Sequence, residues 1–184
     1  MWAVPRLARE YLDTPQHPIL QIAAGVAGAA IVLASSSGPS LAQEWTAFGI
    51  RKAGFTFDVP PGFALDHIAE DGQAATFLGP QEANLVVRGD HVSGGNFKQS
   101  VEALMADDEG HGWKLTYRRL TDSWASYSGV KDGMIRYVRA IATCADRVAV
   151  FVMDYRQSEK LGYDPIVLRM VKSLDSEGCC SLFT

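Results

Sequence analysis

The chain is short of positive charge, histidine and cysteine. Lys and Arg number 17 against 21 Asp and Glu, a net charge of −4. No basic excess therefore points to nucleic acid. The 4 histidines and 3 cysteines include no C-x-x-C and no H-E-x-x-H, so metal-ligand spacing is missing. Phosphate-loop (G-x-x-x-x-G-K) and serine-hydrolase elbow (G-x-S-x-G) motifs are missing too. No apolar run reaches the roughly 20 residues of a typical spanning helix. What remains is 184 residues, 47% hydrophobic and 21% charged, which suits one globular domain with its own core.

The apolar residues are unevenly spread. Ile19 to Ala34 is almost wholly apolar, with Gln21 its one polar side chain; Arg6 and Arg9 precede it, and Ser35 to Pro39 follow. Ser40-Leu41-Ala42 then gives the small-x-small pattern of a signal-peptidase site. Residues 1–42 are expected to be an export signal, cut to leave Gln43 first; an uncleaved anchor is the alternative. No Cys follows Leu41-Ala42, which disfavours a lipoprotein. The expected location is exported and periplasmic, or, with the anchor retained, on the inner membrane facing the periplasm. Removing residues 1–42 leaves 142 residues with 15 bases and 19 acids, no polybasic membrane patch. Membrane contact would run only through an uncleaved N-terminal segment.

After a short segment (43–54), one domain is expected over 55–175, then a tail (176–184). Phe55 to Val59 alternates as a strand and stops at Pro60-Pro61-Gly62. Gln73 to Leu78 and Asn84 to Arg88 are further short strands. Phe97, Val101, Leu104 and Met105 form a helical stripe that ends at Gly110. Trp113, Leu115 and Tyr117 alternate with polar residues, and Ser123 to Val130 is another strand. Met134 to Cys144 and Arg147 to Tyr155 form the clearest pair, with Ala145-Asp146 as a two-residue turn. Asp164-Pro165 reads as the start of a second helix. Val148, Val150 and Val152 alternate with Ala149, Phe151 and Met153, so that strand must be covered on both faces. The predicted class is α+β, an antiparallel sheet flanked by two helices.

The Pro60-Pro61-Gly62-Phe63 turn, Gly79, Leu85 to Gly89, Trp124 with Ser128-Gly129, Ile135-Arg136-Tyr137 and Tyr163-Asp164-Pro165-Ile166 together carry a resemblance. In this order they resemble a group of small exported bacterial proteins of unknown function, and through it the PsbP-like α/β/α sandwiches. The likeness spans roughly Phe55 to Leu174. Its residues are turn formers and core aromatics, so it implies a fold and an accessory or binding role, without catalytic residues to carry over.

Four local features are candidates for function. Asp107, Asp108 and Glu109 close the first helix beside His111, against the helix dipole; they are either a metal site, as a metal-dependent hydrolase would use, or a solvated helix end. Ser93, Gly94, Gly95 and Asn96 approach a helix N-terminus with Lys98 nearby, an anion-binding loop or a plain cap. Tyr137 and Arg139 share one side of a central strand. With a two-residue turn, Arg139 is expected to pair with Asp154, as a structural ion pair or as the wall of a pocket. Cys144, Cys179 and Cys180 allow one disulfide, from Cys144 to either of the other two, or three thiols. No cofactor is called for. The expected role is a non-enzymatic module for an unknown envelope protein or small ligand; a membrane-tethered structural domain is the remaining alternative.

Overall fold

The computed structural model describes residues 44–92, 95–144 and 146–176. The expected leader, Ser93, Gly94, Cys179 and Cys180 lie outside them. Among the described residues no helix is long and apolar enough to cross a membrane.

In chain order the elements are β1 (Thr46–Ile50), β2 (Phe55–Val59), β3 (Ala64–Ile68), β4 (Ala74–Leu78), β5 (Asn84–His91), α1 (Phe97–Gly110), β6 (Lys114–Leu120), β7 (Trp124–Lys131), β8 (Met134–Thr143), β9 (Arg147–Arg156), α2 (Lys160–Ser173) and β10 (Asp175–Ser176). Seven strands form one sheet in the order β3-β4-β5-β9-β8-β7-β6, and β1-β2-β10 form a small second sheet. Every pairing is antiparallel. The α+β expectation holds.

The two-faced β9 sits at the middle of the large sheet and is covered on both sides. Val148 and Val150 pack with Val138, Tyr127 and the α1 residues Phe97, Val101 and Met105. Ala149, Phe151 and Met153 pack instead with Phe55 and Phe57 of β2, Leu85 of β5 and Met170 of α2. Each Val, Leu, Phe or Met among them contributes roughly 1.5–3 kcal/mol when fully buried. Asn96 caps α1, its side chain accepting from Gln99 N at 2.9 Å, which satisfies one of the helix's orphan donors.

Phe63, Gly79 and Tyr163, among the residues behind the family resemblance, form one joint. A Cβ at Gly79 would lie 2.5 Å from the Phe63 ring. Phe63 meets Tyr163 edge-on at 6.5 Å, and Tyr163 stacks on Tyr155 at 4.7 Å. The Tyr163 hydroxyl donates to the Pro80 carbonyl.

Four local expectations are corrected. The domain begins at β1, inside the segment 43–54, because β1 pairs along its whole length with β2. The β8–β9 turn spans residues 144–146, since Thr143 faces Arg147; Asp146 adopts φ +52°, as three-residue hairpins require at the αL position. Helix α2 starts at Lys160, not at Asp164. Asp164 pairs with Lys160 at 2.6 Å, and Pro165 forfeits one bond to the carbonyl of Leu161, an 88% exposed residue where water replaces it. Finally, β6 carries an irregularity between Leu115 and Tyr117. It lets Leu115 and Leu120, five apart, both pack on the α1 side.

Candidate functional site

Two polar centres sit on opposite faces of the large sheet. The first joins α1 to the strands. Arg136 of β8 faces Asp154 of β9 and donates from Nε to Oδ1 at 2.8 Å and from Nη2 to Oδ2 at 2.6 Å. Its Nη1 reaches Asp108 Oδ1 at 2.5 Å, and Asp108 Oδ2 accepts from the Tyr127 hydroxyl at 2.7 Å. The guanidinium lies 4.3 Å from the Trp113 ring centroid. Burial opposes the charge on Arg136, but Asp154 and then Asp108 outweigh it and raise its pKa. Burial, reinforced by the bond to Asp108, also raises that of Tyr127. This centre is closed on itself, with both Asp108 oxygens occupied.

The acidic cluster is therefore split. Asp108 is buried at 6% exposure, whereas Asp107 turns outward to His111, 3.5 Å away, and Glu109 is exposed. Among the described residues no three His, Cys, Asp or Glu side chains are grouped to hold a metal. The helical phase explains the split: Phe97, Val101, Met105 and Asp108 are the i, i+4, i+8 and i+11 positions of one buried stripe. That phase, extended one turn, was the available signal.

The glycine-rich approach is described only from Gly95, which has φ +96°. The Asn96 side chain is taken up by the cap, and Lys98 pairs with Asp122 at 2.6 Å. Neither is directed to a common anion position.

Arg139 does not pair with Asp154. The three-residue turn places it opposite Phe151, and Arg136 takes the place opposite Asp154. One residue of turn length thus exchanges the faces of the two arginines. Arg139 lies instead on the second polar centre. Across β6, β7 and β8 the register aligns Arg119, Ser126 and Arg139 in one row, and Tyr117, Ser128 and Tyr137 in the next. The irregularity in β6 puts Tyr117 on this face with Arg119. Both guanidiniums lie against Trp124, that of Arg139 at 4.5 Å and that of Arg119 at 5.0 Å from the ring centroid. Arg139 Nη1 donates to Ser126 Oγ at 3.1 Å, while its buried Nε has no acceptor. Burial lowers the Arg139 pKa, partly opposed by Tyr137 and Tyr117. Among the described residues no carboxylate pairs with Arg119 or Arg139. Tyr117, 48% exposed, opens this face to solvent.

Sequence reasoning found Tyr137 and Arg139 but missed Arg119 and Ser126 as their neighbours. Only the cross-strand register brings these together.

No family profile matches the chain, and no curated protein matches it. Among solved structures it is similar to the solution structure of cyanobacterial PsbP (CyanoP) from Synechocystis sp. PCC 6803. The TM-score is 0.54 at 13% identity, and the match covers 78% of this chain and 98% of that one. At that identity the likeness speaks for the fold, in agreement with the layered order of α1, the large sheet, and α2 with the small sheet. The described residues of this chain have a PsbP-like α/β/α fold.

Proposed function

We propose that this chain is an exported accessory module of the bacterial envelope that binds a partner without transforming it chemically. Its contact surface is the face built by Arg119, Trp124 and Arg139. The observation that carries this reading is the pair of guanidiniums stacked on one indole. Arginines stacked on an indole are characteristic anchors of recognition surfaces. The PsbP-like fold is compatible with a binding role but does not by itself assign one. In this reading the leader directs export, and the first strand starts four residues after Ala42. Membrane attachment would come only from retention of residues 1–42.

The test is a photo-crosslinking amino acid placed at Tyr117 in living cells, beside the same group at exposed Leu168 of α2. The expected result is capture of one reproducible envelope protein from Tyr117, lost with Arg139→Gln. Equal capture from both positions, or none from Tyr117, would overturn the contact surface. Fractionation of the same cells is expected to give a periplasmic protein beginning at Gln43; retained residues 1–42 in the membrane fraction would favour the tethered alternative.

A further inference from the structure

Among the described residues three tryptophans carry stacked arginines, and they differ in one respect. Arg136 lies on Trp113 and is completed by Asp108 and Asp154. Arg169 lies on Trp45, 4.3 Å from the centroid, and is completed by Asp58. Arg119 and Arg139 lie on Trp124, and among the described residues no acid completes either. Stacking occupies the face of a guanidinium and leaves its in-plane N–H groups as donors, the geometry that carboxylates match best; in Arg139 one of them, Nη1, is held by Ser126.

From this we infer that the Arg119–Trp124–Arg139 face recognises carboxylates, and that its ligand is an acidic, extended segment of a partner protein. The inference rests on the contact surface proposed above and adds the chemistry of what that surface takes. The row geometry favours a peptide. The arginine row and the tyrosine row lie two residues apart along β7, about 6.6–6.8 Å, which is the repeat of same-side residues in an extended chain. Both guanidiniums reach in over Trp124 of β7, and Ser126 beneath Arg139 is buried. An acidic side chain over the arginine row would place the next same-side residue between the tyrosines. The buried Arg139 Nε strengthens the case, because a buried donor without an acceptor is costly. A carboxylate that draws the Arg139 guanidinium outward would satisfy it.

The experiment uses the full exported chain, isotope-labelled, titrated separately with hexaglutamate and with inorganic phosphate at equal charge. Hexaglutamate is expected to shift the Trp124 indole N–H resonance and the amides of β7 in a saturable manner. Arg139→Gln and Arg119→Gln should each weaken it about tenfold with the remaining spectrum unchanged. Arg156→Gln, which removes an exposed pair with Glu82, should leave the affinity as it is. Shifts scattered over all basic residues and insensitive to both variants would overturn the inference, as would phosphate moving Trp124 equally well. Capture of a partner at Tyr117 without hexaglutamate binding would sink the carboxylate chemistry and leave the contact surface standing. Hexaglutamate binding without capture would do the reverse.

Discussion

Arg136 and Asp154 face one another across β8 and β9 and share two nearly parallel hydrogen bonds, 2.8 and 2.6 Å long. That fork, extended to Asp108, ties the end of α1 to the centre of the large sheet. Breaking a buried pair by removing one partner strands the other charge, at roughly 3–5 kcal/mol. Arg136→Met should therefore cost about that much in urea denaturation. Arg139→Met breaks no ion pair among the described residues and should cost less than about 1.5 kcal/mol. Equal losses for the two variants would contradict the division between a structural and a solvent-facing arginine.

Alkaline pH should destabilise the domain through its buried tyrosines. Burial pushes the Tyr155 hydroxyl up from 10.0 to about 12, and Tyr127 and Tyr163 are raised in the same direction. The unfolded chain therefore loses its phenolic proton first. The stability held in this way is complete below pH 10 and is lost as pH rises through about 12 for Tyr155. The slope is at most about 1.4 kcal/mol per pH unit for each tyrosine. Urea midpoints measured across that window should fall, and Tyr155→Phe should flatten the fall. A flat profile in the parent protein would show that these hydroxyls ionise as they do in water.

Gly89 of β5 is held by a close approach to Ala53. A Cβ added at Gly89 would lie 2.1 Å from the Ala53 Cβ, inside a packed core that can give way only by moving backbone. Gly89→Ala should cost roughly 1–3 kcal/mol. Adding Ala53→Gly should restore a good part of it, a coupling that thermal unfolding of the four-member cycle would measure. Strictly additive effects would mean that β5 and the β1–β2 turn move apart rather than clash.

A disulfide from Cys144 to Cys179 or Cys180 is proposed to fasten the tail to the β8–β9 turn. It would close a loop of about 35 residues and add roughly 3–4 kcal/mol in the chain-entropy model. Mass spectrometry of the protein isolated from cells after thiol blocking should find one bridged peptide and one blocked cysteine. Three blocked cysteines would remove the bridge.

Much of the fold was legible because burial writes itself as period. The alternation of Val148 to Met153 required two covered faces, and the stripe from Phe97 to Met105 supplied one cover. Strand β3 was not legible, since all five of its residues are exposed and its pairing with β4 is by backbone alone. Strand β1 was hidden for a related reason, with Ile50 its one buried residue. The site was less legible still. Its residues come from three strands, and two local irregularities, the turn at 144–146 and the shift near Thr116, decide which face each one occupies.

The sequence by itself determined the class of the domain and its two-sided core, because these follow from local composition and periodicity. Tertiary structure alone decided that Asp154 belongs to Arg136 rather than Arg139, and that Arg139 meets Arg119 over Trp124. The physical reason is the pleat: a strand has two faces, and one residue more in a turn exchanges them.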